Sequence, residues 1–315
     1  AVMHGLLTDQ RRGDGRGRRH QYVHLLQQGA HRRGECIAVA QAQHQGRGIR
    51  PRTAQDGAQV CAKILQPVLD AVGVYLQRFG MHKTEDAPYA FKHTGNVDLA
   101  NLRAQALHGA PAARPGHDLL RLLPLLDRPQ LAGGMIDLVD AVERFARFVA
   151  ASPSLPAIDW RLDTPLGMVI VDTTGRDDTR TVAAPLLLVD VGGSDRYLFT
   201  AATTARRISV LFDHGGDDRY RAAGDGADPS AATLGYGVLW DSGGDDLHDG
   251  AHLAQAAAVL GAALLVDGGG ADAFEALGHA QGHAFGGLAL LLAGGGDSRY
   301  RAVTHAQASA GPEGA

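Results

Sequence analysis

Leu239-Trp-Asp-Ser-Gly-Gly-Asp-Asp-Leu-His248 restates Leu211-Phe-Asp-His-Gly-Gly-Asp-Asp-Arg-Tyr220, and both restate Leu188-Val-Asp-Val-Gly-Gly-Ser-Asp-Arg-Tyr197. Leu265-Val-Asp-Gly-Gly-Gly-Ala-Asp-Ala-Phe274 continues the series, and weaker copies flank it from Ile170 to Thr179 and from Leu291 to Tyr300. The first Asp of each copy, at Asp172, Asp190, Asp213, Asp241 and Asp267, recurs at intervals of 18, 23, 28 and 26 residues, and Ala293 takes that place 26 residues further on. Periods of this size belong to units that bury their apolar faces only against their neighbours. The second half of the chain is therefore expected to be mainly β, a parallel β-solenoid of the β-helix or β-roll kind.

Each unit opens on an apolar run, such as Leu186 to Val189 or Ala263 to Val266, which fits a strand buried on both faces. Paired glycines then allow a tight turn that other residues resist, and an Arg-Tyr-Arg-like stretch supplies a short second strand. In this arrangement Leu188, Leu211, Leu239, Leu265 and Leu291 should stack in one buried column. A smaller echo lies between units, where Gln255, Gln281 and Gln307 recur 26 residues apart.

Composition bounds the alternatives. Glycine, at 42 of 315 residues, is in excess because of the turns, and the net charge of −4 argues against a nucleic-acid or anionic-membrane partner. No run of about 18 uncharged apolar residues predicts a membrane span, and no charged-apolar-small leader opens the chain. Cys36 and Cys61 share no metal or redox spacing. The charge average hides an asymmetry, since ten arginines between Arg11 and Arg52 face only Asp9, Asp14 and Glu35. Three lysines against 27 arginines indicate a GC-rich coding bias, under which a shifted reading frame also yields Arg, His, Gln, Ala and Gly.

Three segments follow. Residues 1–115 are expected to be poorly ordered or spurious, although Ile64, Leu65, Val68, Leu69 and Val72 keep helical spacing within Ala62 to Leu76. Residues 116–160 carry two amphipathic stretches around a Pro/Gly break, the second from Met135 to Ala150, and read as a helical cap over the open N-terminal end of the solenoid. Residues 161–315 are the repeat solenoid, stopping within its last echo and so read as truncated at the C-terminal end.

The helices, the lead-in Asp163-Thr-Pro-Leu-Gly167 and the Asp-x-Gly-Gly-x-Asp-x-Tyr units together resemble an uncharacterised group of bacterial repeat proteins, over residues 118–315. No activity travels with that resemblance. More distantly, the Gly-Gly-x-Asp pattern is similar to the calcium-binding nonapeptide β-roll, although here one such turn occurs per coil rather than in tandem nonapeptides.

Stacking the copies creates two carboxylate columns, Asp190, Asp213, Asp241, Asp267 and Asp195, Asp218, Asp246, Asp272. At the roughly 5 Å spacing of paired strands, neighbouring like charges repel by roughly 3 to 4 kcal/mol at an effective dielectric near 20. Two answers are open. A hard cation, Ca2+, could take these eight carboxylates with turn carbonyls as ligands, which would suit an extracellular or cell-surface location. Alternatively, each Asp accepts turn N–H groups, while Arg196, Arg219 and Arg299 neutralise the columns. Tyr197, Tyr220, His248, Phe274 and Tyr300 form a parallel aromatic column, read as packing. His279 and His283 have the spacing of a zinc pair, but a solenoid would not set them on one helical turn. The function expected is that of a non-enzymatic structural or surface-binding solenoid, with a polysaccharide or cell-surface component as partner. The rival is a carbohydrate-active enzyme, a polysaccharide lyase or hydrolase, on a β-helix scaffold; it needs an acid cluster that breaks the repeat, whereas these acids follow it.

Overall fold

The computed structural model describes residues 98–113, 118–152, 155, 157–164, 167–183, 185–200 and 208–311. Cys36, Cys61, the Arg-rich run and the helical spacing of Ala62 to Leu76 lie outside the described residues.

The repeat region is a parallel β-solenoid. It opens with β1 (Asp159–Thr164) and β2 (Gly167–Asp172), and β3 (Thr179–Ala183), β4 (Pro185–Asp190), β5 (Arg196–Thr200), β6 (Ile208–Asp213) and β7 (Arg219–Ala222) form its early coils. The later coils contain β8 (Ala232–Thr233), β9 (Tyr236–Asp241), β10 (Leu247–His252), β11 (Ala258–Val259), β12 (Ala262–Asp267), β13 (Ala273–Gly278), β14 (Ala284–Phe285), β15 (Leu288–Ala293) and β16 (Arg299–Thr304). Three sheets result, in the orders β1-β2-β4-β6-β9-β12-β15, β16-β13-β10-β7-β5-β3 and β14-β11-β8. The third sheet is found in the coils that follow Asp213, where the 28- and 26-residue intervals leave enough chain for a third side. At the N-terminal end β1 pairs antiparallel with β2 and is the edge strand of the first sheet.

The expected leucine column is present. Leu188, Leu211, Leu239 and Leu265 are fully buried and pair in register, with Leu291 continuing the row, half-buried. With Ile170, Val182, Phe199, Ala258, Tyr197, Tyr220 and Phe274 they fill the solenoid interior. Leu239→Ala should cost about 2 to 5 kcal/mol, because neighbours pinned by strand pairing collapse poorly into the void. A urea denaturation midpoint unchanged from wild type would contradict this packing.

The helices cover a side of the solenoid. They are α1 (Leu99–His108), α2 (Leu119–Leu122) with a 3-10 turn at Leu123–Leu125, and α3 (Arg128–Ala150). Asp98, Asp118 and Asp127 cap their N-termini through side-chain oxygens. α3 begins earlier than the spacing from Met135 predicts, since Pro129 stands in its first turn, where a missing N–H costs nothing, and the helix runs on through Gly133 and Gly134. Its face of Leu131, Leu138, Val142, Phe145 and Val149 buries against the outer residues of the first sheet, including Val210, Phe212, Val238 and Leu264. Phe145 meets Phe212 edge-on, with centroids 4.9 Å apart. The helices thus lie along the outer face of the first sheet rather than over the N-terminal end expected of a cap, because that sheet's strands are apolar on both faces and its outer face needs cover. α1 falls inside the segment 1–115 expected to be poorly ordered. Within it Leu99 and Leu102 are buried, and Arg103 Nε donates to Thr233 Oγ1 at 3.2 Å, so α1 is packed on the solenoid.

Candidate metal centre

The two Asp columns run side by side through the solenoid. Asp172, Asp190, Asp213, Asp241 and Asp267 end strands of the first sheet, in register, and none is more than 2 % exposed. Each turns one oxygen back onto its own loop, accepting the N–H two residues on: Thr174 at 2.7 Å, Gly192 at 3.4 Å, Gly215 at 3.2 Å, Gly243 at 2.8 Å and Gly269 at 3.3 Å. These are Asx turns, the local reason for Asp before Gly.

The second column binds one coil to the next. Asp195 Oδ1 accepts the Asp178 N–H at 2.5 Å, Asp218 Oδ1 that of Asp195 at 2.6 Å, Asp246 Oδ1 that of Asp218 at 2.7 Å, and Asp272 Oδ1 that of Asp246 at 3.2 Å. The other oxygens of Asp218 and Asp246 are buried and have no hydrogen-bond partner among the described residues. Such orphans are costly, because burial removes their water and nothing replaces it.

The two glycines of each turn permit this stacking. Gly216, Gly244 and Gly270 have φ of +150°, +153° and +146°, and an added Cβ would stand 1.5 to 1.6 Å from the carbonyl oxygen of Gly193, Gly216 or Gly244 in the coil below.

Between the columns stands the aromatic row. Tyr197, Tyr220, His248, Phe274 and Tyr300 stack with successive centroids 5.4, 4.8, 4.6 and 4.9 Å apart, in nearly parallel planes. Packing is only part of their role. The Tyr197 hydroxyl lies 2.9 Å from Asp190 Oδ2, 3.1 Å from Asp213 Oδ2 and 3.3 Å from Asp195 Oδ2. Tyr220 reaches Asp241 Oδ2 at 2.5 Å and Asp213 Oδ2 at 3.1 Å, and His248 Nε2 lies 3.2 Å from Asp267 Oδ2. One hydroxyl carries one proton. It cannot satisfy three carboxylate oxygens, so the others must hold protons of their own or surround a cation.

Among the described residues, carboxylates recur in three groups of three, each with ligand atoms within 4.8 Å of one another: Asp195, Asp213 and Asp218; Asp218, Asp241 and Asp246; Asp246, Asp267 and Asp272. Each rung takes the second Asp of one coil and both Asp of the next. Seven of the eight aspartates singled out from sequence are thereby brought together. Asp190 stands outside the rungs, with Tyr197 and in the field of Arg180.

Arg180 is the residue that sequence reading missed. In register with Tyr197, it occupies the aromatic row in the first coil. Its guanidinium bonds Asp172 and lies 2.9 Å from Asp178 Oδ2 and 3.6 Å from Asp159 Oδ1. The signal was available, because Asp177-Asp-Thr-Arg180 matches Ser194-Asp-Arg-Tyr197 once the longer first turn is allowed for. The expected neutralisers are elsewhere. Arg196, Arg219 and Arg299 are exposed, since strand alternation turns them outward whenever Tyr points in, and Arg299 meets Glu275 at 3.6 Å.

Burial governs the charge of the columns. It pushes Asp190 up to about 9, helped by Asp213, Asp195 and Asp172, and Asp246 to about 9, helped by Asp241. Asp218 is raised to about 8 by burial and Asp213, and Asp195 to about 6 by burial, against the Asp178 N–H. Asp213 reaches only about 6, because hydrogen bonds from Gly215, Tyr220 and Tyr197 favour its ionised form.

The histidines form a corner cluster away from the columns. The His279 and His283 rings meet edge-on at 4.9 Å, and His279 stacks on His305 at 4.5 Å. Both lie in turns between strands rather than on a helix, as the solenoid requires. Nearby, the Gln echo is a ladder: Gln255 Nε2 donates to the carbonyls of His248 and Glu275, and Gln281 Nε2 to those of Phe274 and Arg301. Compared with known proteins, the chain matches no family model, and no similar curated protein or solved structure is found.

Proposed function

We propose that the chain is a non-enzymatic, Ca2+-stabilised β-solenoid, a structural or surface-binding module whose partner is a polysaccharide or other cell-surface component. The supporting observation is the order of side chains along the aromatic row. Where that row holds Arg180, a guanidinium already faces the acids. Where it holds Tyr197, Tyr220 and His248, a neutral polar atom faces a group of three carboxylates. Where it holds Phe274, with no polar atom, Ala293 and Ser298 have replaced the acids of the next coil. Acids and their polar partner appear and vanish together, as ligands of one site do. The columns are nearly inaccessible to a polymer on the surface, which favours a stabilising role over glycosidic-bond chemistry.

Equilibrium dialysis of the full chain against 45Ca2+ tests this reading. Bound calcium that falls when Asp218→Asn and Asp246→Asn are introduced is the expected result, since each of these residues serves two rungs. Dialysis that leaves no calcium on the wild-type chain would refute it.

A further inference from the structure

Sheets protect their edge strands, because an open row of N–H and C=O groups is a template on which another strand can pair. The edges of this solenoid are guarded unequally. The first sheet begins on β1, which carries Asp159, Arg161 and Asp163, and the second ends on β16, where Arg299 and Arg301 face solvent, and on β3, which contains Arg180. In the third sheet the outermost strand, β14, is bridged to Ala310. The far edge of the first sheet has no such guard. There β15, Leu288-Ala-Leu-Leu-Leu-Ala293, has neither charge nor proline and pairs with β12 without a bulge.

Its side chains lack cover as well. Leu290 and Leu292 continue in register from Leu264 and Val266, yet the packing that buries Leu264 to 4 % leaves them 51 % and 49 % exposed. Backbone alternation then fixes how another strand would fit. The N–H groups of Leu288 and Gly294 donate to the carbonyls of Gly261 at 2.9 Å and Asp267 at 2.8 Å, so Leu288, Leu290 and Leu292 face β12 while Ala289, Leu291 and Ala293 turn their backbone groups outward. A second β15 laid antiparallel about Leu291 sets Leu291 opposite Leu291 and Ala289 opposite Ala293. Every outward group on the strand is then paired, since facing residues of this kind exchange both bonds. The same register places Leu290 against Leu292 of the other copy, so that both are covered.

Charge selects this arrangement over head-to-tail stacking. Antiparallel pairing joins two neutral edges, whereas stacking on the β1 edge of another copy would bring Asp159 and Arg161 against an apolar strand. The carboxylate columns also stop before this end. Ala293 and Ser298 stand where acids stand in the earlier coils, and the Ser298 hydroxyl donates to Asp272 Oδ2 at 3.0 Å. Columns that ran on to the edge would repel across such a junction, and these do not reach it.

We propose that the β15 edge is a self-association surface that joins two copies of this chain end to end, through one continuous first sheet, in a closed two-fold dimer. The proposal stands apart from the reading of the columns as cation ligands.

Sedimentation equilibrium of the full chain tests it. The 33.0 kDa chain should sediment as a dimer that dissociates on dilution. Leu290→Lys combined with Leu292→Lys, which gives this edge the charges that guard the others, should weaken association by about 100-fold or more, because ammonium groups would be buried without partners. Ala289→Pro removes an outward N–H that no strand of the same chain uses and should act likewise, since proline is tolerated on the open side of an edge strand. Both variants should keep the circular dichroism and urea midpoint of the dilute wild type. One acts through side chains and the other through the backbone, so if either fails to fold the other carries the test. A wild type that stays monomeric at its highest soluble concentration would overturn the proposal, as would species that grow beyond the dimer or a dimer that both variants leave intact.

Discussion

Gly244→Ala is expected to destabilise the solenoid by on the order of 3 to 5 kcal/mol, a large part of the 5 to 15 kcal/mol that holds a domain folded. The new Cβ would stand 1.5 Å from the carbonyl oxygen of Gly216, at a φ of +153° that L side chains rarely adopt. Neither side can retreat. Gly216 has its own N–H bonded to the Gly243 carbonyl at 3.3 Å, and Gly244 donates to Gly269 at 2.9 Å, so the turns are locked to one another. Gly224→Ala is the matched control, because nothing lies within 4 Å of its added carbon. The difference in urea midpoint between the two variants reads out the effect. Equal midpoints would mean that the turns are not stacked at this distance.

The second large effect is a dependence of stability on pH that is largely removed when cations are added. In metal-free solution, Asp190, Asp218 and Asp246 have folded-state values of about 9, 8 and 9, far above an unfolded carboxyl near 3.9. A raised folded pKa means that the fold holds protons that the unfolded chain has released. Its stabilising contribution is therefore complete below pH 4 and is lost as pH rises towards 9. Each pH unit in that window removes about 1.4 kcal/mol for every carboxyl that stays protonated only in the fold. A saturating divalent cation holds the rung carboxylates ionised, so that their loss of protons no longer opposes folding. Denaturation midpoints at pH 5, 7 and 8.5 in chelator should fall in that order, and calcium should restore most of the loss at pH 8.5. Midpoints that rise with pH in chelator would show that the columns are not buried acids.

These results depend on features of unequal visibility in the sequence. The leucine column, the Asx turns and the two rows of acids were legible because strand pairing repeats in register, so that one aligned letter marks one position in space. The function of the tyrosines was hidden. Alignment shows that Tyr197 and Tyr220 share a row, but only the turn geometry brings their hydroxyls to Oδ2 of Asp213. Arg180 was obscured by the longer turn of its degenerate unit, although it is the one side chain in the row with a permanent charge. The outward Arg196, Arg219 and Arg299 could have been read correctly from strand alternation alone. Helix α1 was concealed for a different reason. Its isolated pattern is weakly amphipathic, and burial of Leu99 and Leu102 comes from docking on the solenoid, which no local window contains.

The central claim is that the paired columns are a cation ladder rather than a row of turn-forming acids. Thermal melting of the full chain at pH 7.5, in chelator and then across increasing calcium, tests it most directly. An ion that binds only the folded state adds about 2.7 kcal/mol at a hundredfold excess over its dissociation constant. The melting temperature should therefore climb with the logarithm of calcium concentration, and Asp218→Asn with Asp246→Asn should flatten that climb. A melting temperature that is the same in chelator and in millimolar calcium would contradict the claim and leave the aspartates as turn-formers that carry protons.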